Sequence, residues 1–277
     1  MKLSDASFRI SHTVVLAYPD ITRAAGFRAA LALWIKLAGS DPAGSTVCTA
    51  SFASKPTEIL LPRNVPEISS SYRQGEADSA DEIPVVFATS RSHPELTFCF
   101  VSGLPATEHI PALVDGLTTL LEQHNVKSLV VPLAADVTCA EKEGRLWVQY
   151  PEASMDLGKL QSQLAELRHL PKGAETADTF LSVLSNIMSA SAVGDVALLI
   201  HADKRPAGSR YQQNVVFGTE YADDSDAEIV RSLVRTLSAA IGIAGTASNA
   251  MEDLLSVQTE RVRLDVDQLA KTLGTFG

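Results

Sequence analysis

The sequence predicts an α/β fold: a three-layer sandwich with a mostly parallel central sheet, plus helices at the C-terminal end. Two observations carry this. Short apolar, β-branched runs alternate with amphipathic helical stretches along most of the 277 residues, an order that builds a sheet covered by helices on both faces. The stretch Leu96 to Pro132 also reads as a complete βαβ unit: strand Leu96–Val101, a helix from Ile110 to Leu121, and a returning strand at Leu129–Val131. Hydrophobic residues make up 45% of the chain, enough for a sizeable core. Length alone allows one large domain or two small ones. The pattern is read as a single domain over 1–277, with an acidic loop insertion at about 66–82 and a helical extension at about 246–277.

Thr13 to Tyr18 is a buried strand, because its apolar run has no polar alternation. Arg23 to Ala38 follows as a helix with Phe27, Leu31, Trp34 and Ile35 on one face, stopped by Gly39 and Asp41-Pro42. Thr46–Phe52 and Ile59–Leu61 are two further strands. Between Pro66 and Glu82 the chain turns small, polar and acidic, as in a surface loop. Pro84–Thr89 and Leu96–Val101 are strands joined at Ser92-His93-Pro94. The next helix carries Ile110, Leu113, Val114, Leu117, Leu120 and Leu121 on one stripe, with Asn125 as its stop. Leu146–Val148 is an edge strand or hairpin arm. Leu157, Leu160, Leu164 and Leu167 mark a helix closed by Pro171 and Gly173. Thr176 would cap the next, whose stripe is Phe180, Val183, Leu184, Ile187 and Met188. Val196–Ile200 is the last core strand. Ser225 to Glu228 has the form of a capping box, opening a helix with Ile229, Val230, Leu233, Val234, Leu237 and Ile241 inward. After Gly245 two short stripes, Met251-Leu254-Leu255 and Val262-Val266-Leu269-Leu273, predict helices with no strand following.

A net charge of −10 with scattered Lys and Arg disfavours nucleic acid and anionic membranes as partners, since both are bound by basic stripes. Cys48, Cys99 and Cys139 form no C-x-x-C pair, so they are expected to be reduced thiols in a reducing compartment, not a zinc site. The start Met1-Lys2-Leu3-Ser4-Asp5 resembles no signal peptide, and no apolar run has membrane-spanning length. The expectation is a soluble, cytoplasmic protein, with the nucleus as a further compartment.

Catalytic motifs are missing. The first strand is followed by Pro19-Asp20-Ile21-Thr22, without glycine until Gly26, and the second βα turn is Ser102-Gly103-Leu104-Pro105. Neither is a phosphate-cradling loop. There is no G-x-S-x-G elbow. The six histidines fall in no metal-protease frame. His201, at the end of a core strand, is the best candidate base, because strand carboxyl ends line α/β crevices. Ser102, Asp136, Asp20, Glu141 and Glu143 also sit near strand ends, where solvated loop groups are the commoner outcome. No cofactor and no metal is expected. At the other end of the chain, Thr275-Phe276-Gly277 sets an aromatic ring beside a terminal carboxylate. This is either a frayed terminus or a tail that docks in a lysine-bearing pocket.

The order of these elements resembles the heterodimeric proteasome assembly chaperones. The likeness runs through Thr13–Ala38, the acidic insertion, the βαβ unit and Asp195–Ala202, and is most local at Phe98–Pro132, around Leu121-Glu122-Gln123-His124-Asn125-Val126. It covers residues 12–245 in layout. The resemblance implies a nucleoside-phosphorylase-like fold without enzymatic activity, a related chaperone subunit as partner, and proteasome α subunits as clients. It also implies a docking tail of hydrophobic residue, Tyr and any residue, matched here by Thr275, Phe276 and Gly277. The phenol hydroxyl is lost and Thr275 is not strongly hydrophobic. The leading expectation is thus a non-catalytic subunit promoting 20S α-ring assembly as a heterodimer. The alternative is a hydrolase or nucleoside-phosphorylase-like enzyme working through Ser102, Asp136 or His201.

Overall fold

The computed structural model describes residues 1–20, 24–40, 44–62, 81–138, 146–151, 162–171, 173–202, 224–243 and 259–263. In chain order they form β1 (Thr13–Ala17), α1 (Ala25–Ser40), β2 (Ser45–Ala53), β3 (Pro56–Pro62), β4 (Glu82–Ser90), β5 (His93–Val101), β6 (Gly103–Pro105), α2 (Ile110–Gln123), β7 (Ser128–Ala135), β8 (Val137–Thr138), β9 (Leu146–Gln149), β10 (Arg168–His169), β11 (Glu175–Thr176), α3 (Thr179–Ala190), β12 (Asp195–Ala202), α4 (Asp224–Ala240) and β13 (Thr259–Arg263).

Eight strands make the central sheet, in the order β10-β9-β12-β7-β1-β5-β4-β2. The middle four, β12, β7, β1 and β5, are parallel, β9 and β4 join them antiparallel, and β2 pairs antiparallel with β4, so that it runs the same way as the middle four. The crossover from β5 through α2 to β7 passes over β1, so the βαβ unit straddles the first strand. Being central explains the composition of β1: Val14, Val15, Leu16 and Ala17 are fully buried, and a strand covered on both faces cannot alternate apolar with polar. Its side chains still alternate in direction. Val15 and Ala17 enter the core under α1 and α4, whereas Val14, Leu16 and Tyr18 enter the core under α2 and α3. Those two cores are the filling of a three-layer sandwich.

The helices follow their stripes. All six predicted apolar residues of α2 are buried. Asn125 ends it in the left-handed region at φ 55°, and its N–H donates to the Glu122 carbonyl at 2.9 Å, as helix C-termini do. Phe180, Leu184 and Met188 of α3 are buried too. The α1 helix differs from its predicted single face. Phe27, Ala29, Ala30, Leu31, Ala32, Leu33 and Trp34 are all buried, because α1 lies against both the sheet and α4 and so has apolar residues all round. Cys48 and Cys99 are free and buried, and burial pushes the Cys99 thiol far up.

Four expectations are corrected. Thr259–Arg263, expected within a helix, is strand β13, with Val262 registered on Ile59 of β3. The stripe Val262-Val266-Leu269-Leu273 reads as helical, but at its first member the ladder offered by β3 overrides that preference. It builds a three-stranded sheet β13-β3-β6. Thr176 does not cap α3. It lies in β11, paired with β8, and the cap is Asp178, whose carboxylate accepts from Leu181 N–H at 2.9 Å. Leu146–Val148, in β9, is not at the sheet's edge, because β10 pairs outside it. Of the helix expected over Leu157–Leu167, Leu164 and Leu167 instead lie in the turn that leads into β10, while 157–161, most of the acidic insertion (66–80) and the remainder of the C-terminal extension lie outside the described residues. Among the described residues no helix is long and apolar enough to cross a membrane.

One close approach fixes how α1 sits. A Cβ at Gly26 would overlap the carbonyl of Pro132 and run against Leu133 Cα. Both are backbone, so neither can swing aside. Gly26→Ala should destabilise the protein by about 3 kcal/mol, read as a lower urea midpoint. An unchanged midpoint would contradict this packing.

Candidate functional site at the carboxyl edge of the parallel strands

Because β12, β7, β1 and β5 run the same way, their carboxyl ends share one edge, the place where α/β sheets bind ligands. Four of the buried polar side chains gather there: Asp20, Ser102, Asp178 and His201. Tyr18, just past β1, is buried with them.

Asp20 is fully buried between β1 and α1. Its Oδ2 accepts from the Gly26 N–H at 2.7 Å and from the Ala134 N–H at 3.4 Å, and its Oδ1 accepts from the Ala25 N–H at 3.3 Å. The first N–H groups of a helix have no intrahelical acceptor and carry partial positive charge, which suits a bound anion. Here the chain supplies that anion itself. A phosphate at the start of α1 would meet a carboxylate already in place.

Asp178 plays the matching part at α3. Besides capping that helix it accepts the Tyr18 hydroxyl at 2.8 Å. The Tyr18 ring lies against Phe180, centroids 4.3 Å apart. Burial, then the charges of Asp178 and Asp20, hold the Tyr18 phenol well above its ordinary range. It is a neutral donor at physiological pH.

The sequence-predicted candidates do not assemble. Ser102 donates both its Oγ–H and its N–H to the carbonyl of Pro84, which ties the hydroxyl to backbone. His201 is buried and its Nδ1–H donates to the Ala202 carbonyl at 3.0 Å. Asp136 is half-buried just beyond β7, and its carbonyl accepts from Ala177 N–H at 3.4 Å. The sheet order sets β7 and β1 between His201 on β12 and Ser102 after β5. Three strand spacings separate them by roughly 14 Å, so a Ser–His pair cannot form. Among the described residues no group of three or more His, Cys, Asp or Glu could hold a metal ion. Glu141, Glu143 and the tail Thr275-Phe276-Gly277 lie outside the described residues.

Sequence reasoning gave Asp20 a place only among the loop acids and missed Asp178. Both carried a signal. Asp178 stands just ahead of the stripe opened by Phe180, the usual N-cap position. Asp20 follows a buried strand and precedes an apolar helix, where a solvated acid would leave bare helix N–H groups.

No family model and no curated protein matches the sequence. Solved structures do match. PbaA of Pyrococcus furiosus, an archaeal homolog of proteasome-assembly chaperone, superposes with a TM-score of 0.55 at 10% identity in its monoclinic form, covering 100% of this chain and 93% of that one. Another crystal structure of PbaA gives 0.53 at 13% identity, over 91% and 95%. PbaB of the same organism, an archaeal proteasome activator, gives 0.54 at 9% identity, over 99% and 98%. The chain has the fold of these archaeal proteins. At such identities the likeness is one of fold, and it agrees with the mostly parallel sheet and helical layers described above.

The Tyr18–Asp178 bond makes a pH-dependent contribution. The folded chain holds Tyr18 protonated above 10.0, its ordinary value, whereas the unfolded chain releases that proton near it. This stability is fully present below pH 10 and is lost as pH rises past it. Tyr18→Phe should cost about 1 kcal/mol at neutral pH and flatten the decline in urea midpoint above about pH 10. An identical decline in the variant would disprove the assignment.

Proposed function

We propose that this protein is a non-catalytic assembly chaperone that acts through its surfaces, pairing with a related chaperone subunit to promote assembly of the proteasome α-ring. The observation that carries this reading is the pair of chain carboxylates seated on the starts of α1 and α3 at the carboxyl edge, on a fold shared with PbaA. Asp20 and Asp178 occupy the helix N-termini where an α/β enzyme would receive an anionic substrate, and Ser102 is bonded to backbone. The catalytic alternative needs Ser102 and His201 in one pocket, and the strand order keeps them apart. Proteasome α subunits are the clients in this reading, and the cytoplasm, with the nucleus, is where they would be met. Thr275, Phe276 and Gly277 form the docking tail in this reading, with the Phe276 ring supplying buried area.

A tagged chain should recover both a second chain of this fold and proteasome α subunits when its complexes are purified and identified by mass spectrometry. Recovery of neither would sink the proposal. Removal of Thr275 to Gly277 should leave the circular dichroism and melting temperature unchanged. It should weaken α-subunit binding by about 2 kcal/mol, roughly thirtyfold, as loss of an aromatic anchor does. Equal affinity with and without these residues would take the tail out of the model.

A further inference from the structure

The two ends of the central sheet are built differently. At one end stands β10, two residues long and cationic at Arg168. Shortness and charge are the usual protections of a sheet edge. At the other end stands β2, nine residues, Ser-Thr-Val-Cys-Thr-Ala-Ser-Phe-Ala, with no charge and no proline. A long neutral edge strand is a template for pairing with another strand.

The segment ahead of β1 lies on that edge. Leu3 bridges Ala50 in antiparallel sense. Ser4 takes both outward backbone groups of Thr49: its N–H donates to the Thr49 carbonyl at 2.7 Å, and its Oγ accepts from the Thr49 N–H at 3.2 Å. The Thr49 hydroxyl donates to the same Oγ at 3.0 Å. Thr49 is the middle residue of β2. In an antiparallel ladder the outward backbone groups recur at every second residue, so Val47 and Ser51 turn theirs to the same edge as Thr49. The proline Pro84 is registered on Ser51, and its missing N–H is tolerated because that pair does not bond across β2 and β4.

We propose that Ser4 is an edge guard, and that the surface it covers fits β2 of a second copy of this chain. Antiparallel pairing about a twofold axis at Thr49 sets Thr49 on Thr49, Cys48 on Ala50, Val47 on Ser51 and Thr46 on Phe52. Every pair is neutral, and threonine on threonine and a β-branched residue on an aromatic are favourable cross-strand pairs. Two chains of net charge −10 repel over most of their surfaces, and an uncharged edge is where they approach at least cost. The N–H and C=O that would open this pairing are the two that Ser4 holds. The inference rests on the sheet edge alone and is independent of the chaperone reading.

Ser4→Pro removes both the amide donor and the hydroxyl. It should speed hydrogen exchange at the Thr49 amide and double the mass seen by light scattering as concentration rises. Ser4→Ala, which keeps the amide, should associate more weakly. Adding Thr49→Lys to Ser4→Pro sets two lysines face to face across the axis and should restore the wild-type mass. Circular dichroism confirms that each variant is folded, and Ser4→Ala carries the test if Ser4→Pro does not fold. Three results would each overturn the proposal: unchanged Thr49 exchange, wild-type mass at every concentration despite faster exchange, or association that Thr49→Lys leaves intact.

Discussion

The tripeptide Tyr18-Pro19-Asp20 joins all three layers of the sandwich, and the placement of the helices depends on it. Asp20 reaches to one side and holds the start of α1 through Ala25 and Gly26. Tyr18 reaches to the other and holds Asp178, which caps α3. The central strand thus fastens a helix on each face within three residues of its end. Taking a carboxylate out of water costs several kcal/mol. For Asp20, charge-assisted bonds from three backbone N–H groups and the partial positive charge of the α1 terminus offset that cost.

Gly26 shows how tightly the arrangement is determined. Asp20 Oδ2 bonds to the Gly26 N–H on the helix and the Ala134 N–H on β7. Those two backbones can meet one carboxylate oxygen only if the helix comes very near the strand, and the absent side chain of Gly26 permits this against Pro132. A glycine near the start of a helix after a strand invites comparison with phosphate loops. Here it serves packing, and the carboxylate takes the place of the phosphate.

This explains what could be read from the sequence and what could not. The core strands and the α2, α3 and α4 stripes were legible because burial imposes a period, as at Leu113, Leu117 and Leu121 or the unbroken run of Val14 to Ala17. The order of the strands was not. Nothing in Leu96–Pro132 says that β1 inserts between its two strands, since that pairing links residues far apart in the chain. The carboxyl edge was half legible. The lack of phosphate and nucleophile motifs could be read from the sequence, but the seating of Asp20 and Asp178 on the helix starts came only with the structure. Val262 misled because its spacing to Val266 and Leu269 is helical, whereas its strand partner Ile59 is some two hundred residues away.

At the carboxyl edge of the sheet, the starts of α1 and α3 are held by the chain's own carboxylates. Tyr18, Asp178, Asp20 and Ser102 all bond within the chain. They therefore act on the fold by fixing the relative positions of strands and helices. Such preorganisation lowers the conformational freedom that any binding at the outer surface would cost. With an overall charge of −10, long-range attraction favours basic partners and opposes self-association. Two copies could then meet only where the charge is absent, which among the sheet's two outermost strands is β2. The interior polar groups thus hold the rim of the sheet and the outer helix faces in fixed relation.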